Sequence, residues 1–289
     1  MPQSTSHTGW RWPHRRLPLL AAVVLVALLA LEPAVAPGGE GVLHAQTPPS
    51  ERIRSDTHVF QVTGDTIEFA YFQPSVLEET DDPRPLLVLL HGLGSTPAQV
   101  IRYQGIVEEA EDRGWIVLAP MGFNRRGWYG SLGPGRPSGM GVQADDPDNL
   151  GELSQLETMA VVELALERFP VDRDRIYLMG HSMGGAGALH LGREHPDLWA
   201  GIAAVAPAVW AEPLEWARDL RHLPIHILQG TEDRLVPVRL ARGWAEAMAD
   251  LDMTFRYMEV DGGDHTAIIA RTPQHVREIF DFLEQATPP

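Results

Sequence analysis

A chain of 289 residues with 44% hydrophobic and 21% charged side chains can bury the core of one sizeable domain and is not composed like a disordered segment. Its formal net charge of −16 repels a phosphate backbone, which argues against nucleic acid as a partner. All 23 Lys and Arg positions are arginine, excluding a phosphate-loop lysine, a Ser-Lys dyad and Schiff-base chemistry, and the lack of cysteine excludes disulfides, thiolate metal sites and a thiol nucleophile.

At the amino terminus Arg11, Arg15 and Arg16 precede an apolar run over residues 17–31, which Glu32-Pro33 breaks before Ala34-Val35-Ala36. A run of about 15 residues falls short of the roughly 20 that a membrane-spanning helix needs, so residues 1–45 read as an export signal. Cleavage after Ala45 is favoured over Ala36, because Pro37 is a poor residue to follow a cleavage site. The mature chain is then expected to be secreted or periplasmic, without a stable membrane anchor. Residues 46–55 read as a linker, and the folded domain as residues 56–289.

Residues 58–62 and 66–72, rich in Val, Ile, Phe and Tyr around Gly64-Asp65, predict an antiparallel hairpin at a sheet edge. Residues 86–90 are an unbroken apolar strand of the kind buried on both faces of a parallel sheet, and run into His91-Gly92-Leu93-Gly94. His91 reads as a hydrogen-bonding structural residue. One helix is predicted over residues 97–112, with Val100, Ile106 and Val107 on its apolar side and Gly114 ending it. Residues 115–119 form the next strand.

A Gly/Pro-rich excursion follows over residues 121–149, long for a compact domain. It leaves the carboxyl end of a strand, and two readings stay open: Trp128 and Tyr129 line a substrate pocket, or the excursion is a solvated surface loop. Asp145, Asp146 and Asp148 lack the spacing of a calcium loop and read as surface charge. Asn149 with Glu152 suggests a capping box opening a helix whose Leu153, Leu156, Ala160 and Leu164 share one face, with Pro170 beyond its end.

Residues 175–179 have strand character and lead into Gly180-His181-Ser182-Met183-Gly184, after which an Ala- and Leu-rich run is helix-compatible. G-x-S-x-G at a strand-to-helix turn needs a positive φ at the serine and no Cβ at the flanking glycines, which makes Ser182 the candidate nucleophile. Further strands are predicted over residues 200–206, 225–229 and 254–260, with a closing helix over 273–285. His190 and His195, five apart, do not share a metal-binding face. Residues 207–222, with Trp210 and Trp216, read as either a small lid or a packed connection.

The elbow resembles that of α/β-hydrolases, and in particular secreted esterases similar to prolyl-oligopeptidase-like and polyester-depolymerase-like enzymes. The likeness covers most of the chain from about residue 56. It implies an α/β fold with a mostly parallel eight-stranded sheet flanked by helices on both faces, and no cofactor. It assigns oxyanion donors to the backbone N–H groups of Leu93 and Met183, the triad acid to Asp233, with Glu232 as its confusable neighbour, and the base to His265. The order Ser182, Asp233, His265 is the one this fold shows, each residue topping a later strand.

These readings converge on an exported serine carboxylesterase that hydrolyses small-molecule or polymeric carboxylic esters through an acyl-serine intermediate. The alternatives are a prolyl-oligopeptidase-like serine peptidase, for which the chain lacks room for a propeller, and a non-catalytic binding protein on the same fold.

Overall fold

The computed structural model describes residues 47–138 and 141–286, and the export signal read at the amino terminus lies outside them. Its elements in chain order are β1 (Arg54–Val59), β2 (Thr66–Phe72), β3 (Arg84–Leu90), α1 (Pro97–Val100), α2 (Ile106–Arg113), β4 (Ile116–Ala119), α3 (Leu150–Arg168), β5 (Val171–His181), α4 (Met183–Glu194), β6 (Gly201–Val205), α5 (Pro213–Asp219), β7 (Ile225–Gly230), α6 (Val238–Asp250), β8 (Phe255–Val260), α7 (Ala267–Ala270) and α8 (Pro273–Gln285). The eight strands form one sheet in the order β1-β2-β4-β3-β5-β6-β7-β8. β1 and β2 pair antiparallel, β2 runs antiparallel to β4, and every pairing from β4 to β8 is parallel. This is the eight-stranded, mostly parallel α/β architecture expected from the sequence.

Strand periodicity divides the core in two. Leu86, Val88 and Leu90 of β3 point to the side covered by α3, α4, α5 and α6, while Leu87 and Leu89 point to the side covered by α1, α2 and α8. Both faces of the central strands are therefore dry, which is why residues 86–90 carry no polar side chain. Each fully buried aliphatic side chain contributes about 1.5–3 kcal/mol relative to exposure. On the α8 side Trp115 stacks on Tyr177 with ring centroids 4.8 Å apart and meets Phe280 at 5.1 Å. No helix among the described residues is long and apolar enough to cross a membrane.

Four local expectations need correction. Residues 46–55 are not a loose linker where described: Pro49–Glu51 forms a 3₁₀ turn, Arg52 pairs with Glu111 at 2.6 Å, and β1 already begins at Arg54. The predicted helix over 97–112 is two helices, because Gly105 turns the chain with φ 97° where Pro273 of α8 approaches; a Cβ there would sit 3.0 Å from the proline. The capping box at Asn149 does not form, since the Asn149 side chain donates to the Glu152 carboxylate at 3.1 Å and accepts no helix N–H. The buried face of α3 is Leu150, Leu153, Ser154, Glu157, Thr158, Val161, Val162 and Ala165, leaving Leu156 exposed.

Candidate active site

β5 ends at His181, and α4 begins at Met183, so Ser182 occupies a one-residue corner between them. Its backbone stands at φ 59° and ψ −115°, a conformation that costs a residue with a Cβ about 1–3 kcal/mol and clusters at functional sites. Three main-chain bonds hold the corner: Ser182 N–H donates to Val205 O at 2.8 Å, and Ser182 O accepts from Ala186 N–H at 3.1 Å and from Ala208 N–H at 3.2 Å. The flanking glycines are needed sterically, because a Cβ on Gly180 would overlap the carbonyl of Gly184, and one on Gly184 would overlap that of Leu90.

The His-Gly-Leu-Gly loop leaves β3 beside this corner. His91 is fully buried; its Nδ1 lies 2.8 Å from Gly92 O and its Nε2 2.9 Å from Met121 O. Burial pushes its pKa below the ordinary histidine value, although both backbone contacts oppose the shift. Gly94 N–H donates to Arg125 O at 3.0 Å, tying the loop to the excursion after β4. The N–H groups of Leu93 and Met183 find no acceptor among the described residues, and Met183, as the first residue of α4, has none within its helix.

Asp233 follows β7 and is buried. Its Oδ1 accepts from the N–H groups of Leu235 and Val236, both at 2.8 Å, and its Oδ2 accepts from His265 Nδ1 at 2.6 Å and from Gln229 Nε2 at 2.9 Å. Burial works to raise the carboxyl pKa, but the Val236 amide, His265 and the Leu235 amide together outweigh it and hold the group below its ordinary value. With Nδ1 committed to Asp233, Nε2 is the imidazole nitrogen left for chemistry. The neighbouring acids are occupied otherwise. Asp264 accepts from the Thr266 and Ala267 amides at the start of α7, Thr231 donates to Asp261, and Glu232 is exposed.

Ser182 and His265 line one cavity of about 430 Å³. Its wall carries Leu93, Tyr103, Trp128, Trp210 and Leu235, and among the described residues no carboxylate or guanidinium. Trp128 and Trp210 face each other with ring centroids 6.1 Å apart, and Trp210 and Leu235 stand 48% and 69% exposed at the rim. Of the two aromatic residues singled out in the sequence, Trp128 lines this cavity and Tyr129 does not. Tyr129 is fully buried, its hydroxyl bonded to the His91 main chain. Trp216 belongs to the core beside Trp244. Asp146 is paired with Arg126 at 2.6 Å and closes the excursion on itself.

Three residues of the site escape sequence reasoning. Gln229 looks like an ordinary strand end, Tyr103 sits in the break between α1 and α2, and His181 occupies a variable position of its motif. His181 Nε2 donates to His265 O at 2.8 Å, and Tyr103 donates to His181 Nδ1 at 3.1 Å.

The Esterase family model, described as "Putative esterase", matches residues 61–267, a span that contains all the residues above. Among curated proteins, S-formylglutathione hydrolase of Rattus norvegicus is 33% identical over 147 residues, covering 49% of this chain and 51% of that protein. Cutinase 1 of Thermobifida cellulosilytica is 29% identical over 126 residues, covering 43% and 46%. The chain therefore spans about half the length of these relatives. Among solved structures, an S-formylglutathione hydrolase from Agrobacterium tumefaciens superposes with a TM-score of 0.64 at 19% identity over 81% of this chain and 95% of that one, a likeness of fold.

Proposed function

This chain belongs to the Esterase family and is a hydrolase, and from that premise we propose that it is an exported serine carboxylesterase acting on esters with an apolar acyl group. Ser182 is the nucleophile, His265 the base, Asp233 the acid that orients the base, and the Leu93 and Met183 amides the oxyanion donors. The observation that carries the reading is the 2.6 Å bond from His265 Nδ1 to Asp233 Oδ2, with that imidazole and the strained Ser182 lining the same cavity.

A serine hydroxyl is a poor nucleophile near neutral pH. In the proposed cycle His265 Nε2 takes the Ser182 proton as Oγ attacks the ester carbonyl carbon, and the new oxyanion is held by the two amides. Collapse of the tetrahedral adduct expels the alcohol, which receives the proton from the imidazolium. Water then attacks the acyl-serine with the same base, releasing the carboxylic acid and restoring the hydroxyl. Ser182 and His265 line the same cavity, and catalytic hydrogen bonds of apo sites commonly tighten only when substrate binds.

The names of the relatives divide between S-formylglutathione and cutin as substrates. The uncharged cavity wall, with two indoles, favours an apolar ester over one whose leaving group is a charged peptide, because buried charges need partners. The arginine-flanked apolar run over residues 17–31 supports export. A matched panel of p-nitrophenyl esters and peptide anilides, run on wild type and Ser182→Ala, tests the reading. Ester turnover abolished by the substitution is expected; anilides cleaved faster than short-chain esters would make the chain a peptidase instead.

A further inference from the structure

Trp128, Tyr129 and Gly130 are consecutive left-handed residues, with φ of 56°, 52° and 83°. Left-handed backbone is unfavourable wherever a Cβ is present, so two such residues in succession call for a compensating contact. Tyr129 has several. Its ring lies against bare backbone on two sides: a Cβ at Gly122 would stand 2.6 Å from its Cε1, and one at Gly187 2.6 Å from its Cδ2. Gly187 belongs to α4, the helix that Ser182 opens. The Tyr129 amide donates to Ser154 Oγ at 3.0 Å. At the far end of the ring, His91 N–H donates to the Tyr129 hydroxyl at 3.0 Å, and the hydroxyl points back to His91 O at 3.4 Å.

His91 is the root of the loop that presents Leu93. In the Gly92–Leu93 peptide the carbonyl oxygen is pinned by Ser95 N–H at 3.0 Å and faces His91 Nδ1 at 2.8 Å. A planar trans peptide directs its N–H opposite to its oxygen, so fixing Gly92 O aims the Leu93 amide. That aim is relative to His91, whose main chain packs on Gly184 of α4 and is further tied to that helix through the Tyr129 side chain.

We propose that Tyr129 is a positioning residue for ester hydrolysis, setting the Leu93 amide against the Met183 amide through a ring wedged on α4 and a hydroxyl seated on His91. The role rests on Ser182 as nucleophile and on those two amides as oxyanion donors. Such a residue acts on the transition state, in which the carbonyl oxygen carries charge, and leaves ground-state binding alone.

Tyr129→Phe keeps the ring in its recess and removes both hydroxyl contacts. With a p-nitrophenyl ester its kcat is expected to fall about tenfold with KM within twofold of wild type. An aryl trifluoromethyl ketone, which becomes a tetrahedral oxyanion on the serine, is expected to bind more weakly by the same factor, while inhibition by the product carboxylate is unchanged. A merely structural role would lower Tm and leave kcat per reactive site unchanged, so sites are counted by fluorophosphonate titration. Ser154→Ala, which leaves Tyr129 in place but frees its amide, is expected to shift kcat and ketone affinity together to a smaller extent, and serves if the first variant does not fold. Unchanged kcat and ketone affinity in the variants that fold, or a rise in KM alone, would overturn the proposal. A wild-type protein that neither turns over esters nor takes up the ketone would overturn the hydrolase reading itself, and the role of Tyr129 with it.

Discussion

The residue just before the candidate nucleophile is bonded to the main chain of the candidate base: His181 Nε2 donates to His265 O at 2.8 Å, and the two rings lie 4.9 Å apart. Burial holds His181 down to about 4, with the nearby His265 charge acting in the same direction, so the ring is neutral when the enzyme works. A neutral imidazole that donates from Nε2 accepts at Nδ1, which is what the Tyr103 hydroxyl supplies. His181→Ala is therefore expected to lower kcat about tenfold by loosening the loop that carries His265, and Tyr103→Phe by less. Because His181 does not titrate between pH 5 and 9, the variant should change the height of the pH–rate profile and leave its inflections where they are.

Gln229 donates to the same carboxylate oxygen that holds His265. Removing this donor leaves the two backbone amides and the imidazole on Asp233, so Gln229→Leu is expected to cost about tenfold in kcat/KM. Asp233→Asn, which would also disturb the imidazole tautomer, is expected to cost about 10⁴-fold. Steady-state kinetics on the pair would check this ordering. Equal losses would mean that Gln229 does more than hold the acid in place.

Trp210 stands at the cavity rim facing Trp128. Its loss should weaken binding of acyl groups long or aromatic enough to reach it, raising KM about tenfold for such esters and leaving acetate esters within twofold. An acyl-length series on Trp210→Ala reads this directly. A uniform effect on all chain lengths would place the acyl group elsewhere.

His226 is fully buried on β7 against Phe282, and neither ring nitrogen has a hydrogen-bond partner among the described residues. Burial holds its pKa near 3, with Arg256 adding to the effect. In the unfolded chain the ring takes up a proton below about pH 6.5 that the folded state refuses, so stability falls as pH drops from 6.5 toward the folded value. His226→Leu removes this term, and is expected to gain about 2 kcal/mol relative to wild type at pH 5 beyond any gain at pH 8. Denaturant titrations at the two pH values check the difference, and parallel stability curves would contradict it.

Much of this was legible in the sequence. Apolar runs mark most of the inner strands, β7 with His226 and Gln229 being the exception, and the glycines around Ser182 announce a corner that tolerates no Cβ. What was hidden depends on contacts between distant segments. Gly105 opens α2 with a φ of 97° where Pro273 comes against it, and nothing near residue 105 reveals that approach. The buried face of α3 carries Ser154, Glu157 and Thr158, polar residues that a hydrophobicity pattern assigns to solvent. Glu157 is buried because it accepts the Gly122 and Phe123 amides and meets His58 at 2.8 Å. For Tyr129, next to Trp128 on a long loop, the sequence leaves pocket lining and solvated loop both open, and neither foresees a hydroxyl partner 38 residues away.

In the proposed reaction Ser182 becomes acylated through the His265–Asp233 relay. Intact-mass and peptide mapping after brief exposure to a fluorophosphonate tests it most directly. One adduct per chain is expected, on the peptide containing Ser182, with labelling lost in Ser182→Ala and slowed about a hundredfold or more in His265→Ala. Folded wild-type protein that takes up no label, or takes it up equally in the Ser182→Ala variant, would contradict it.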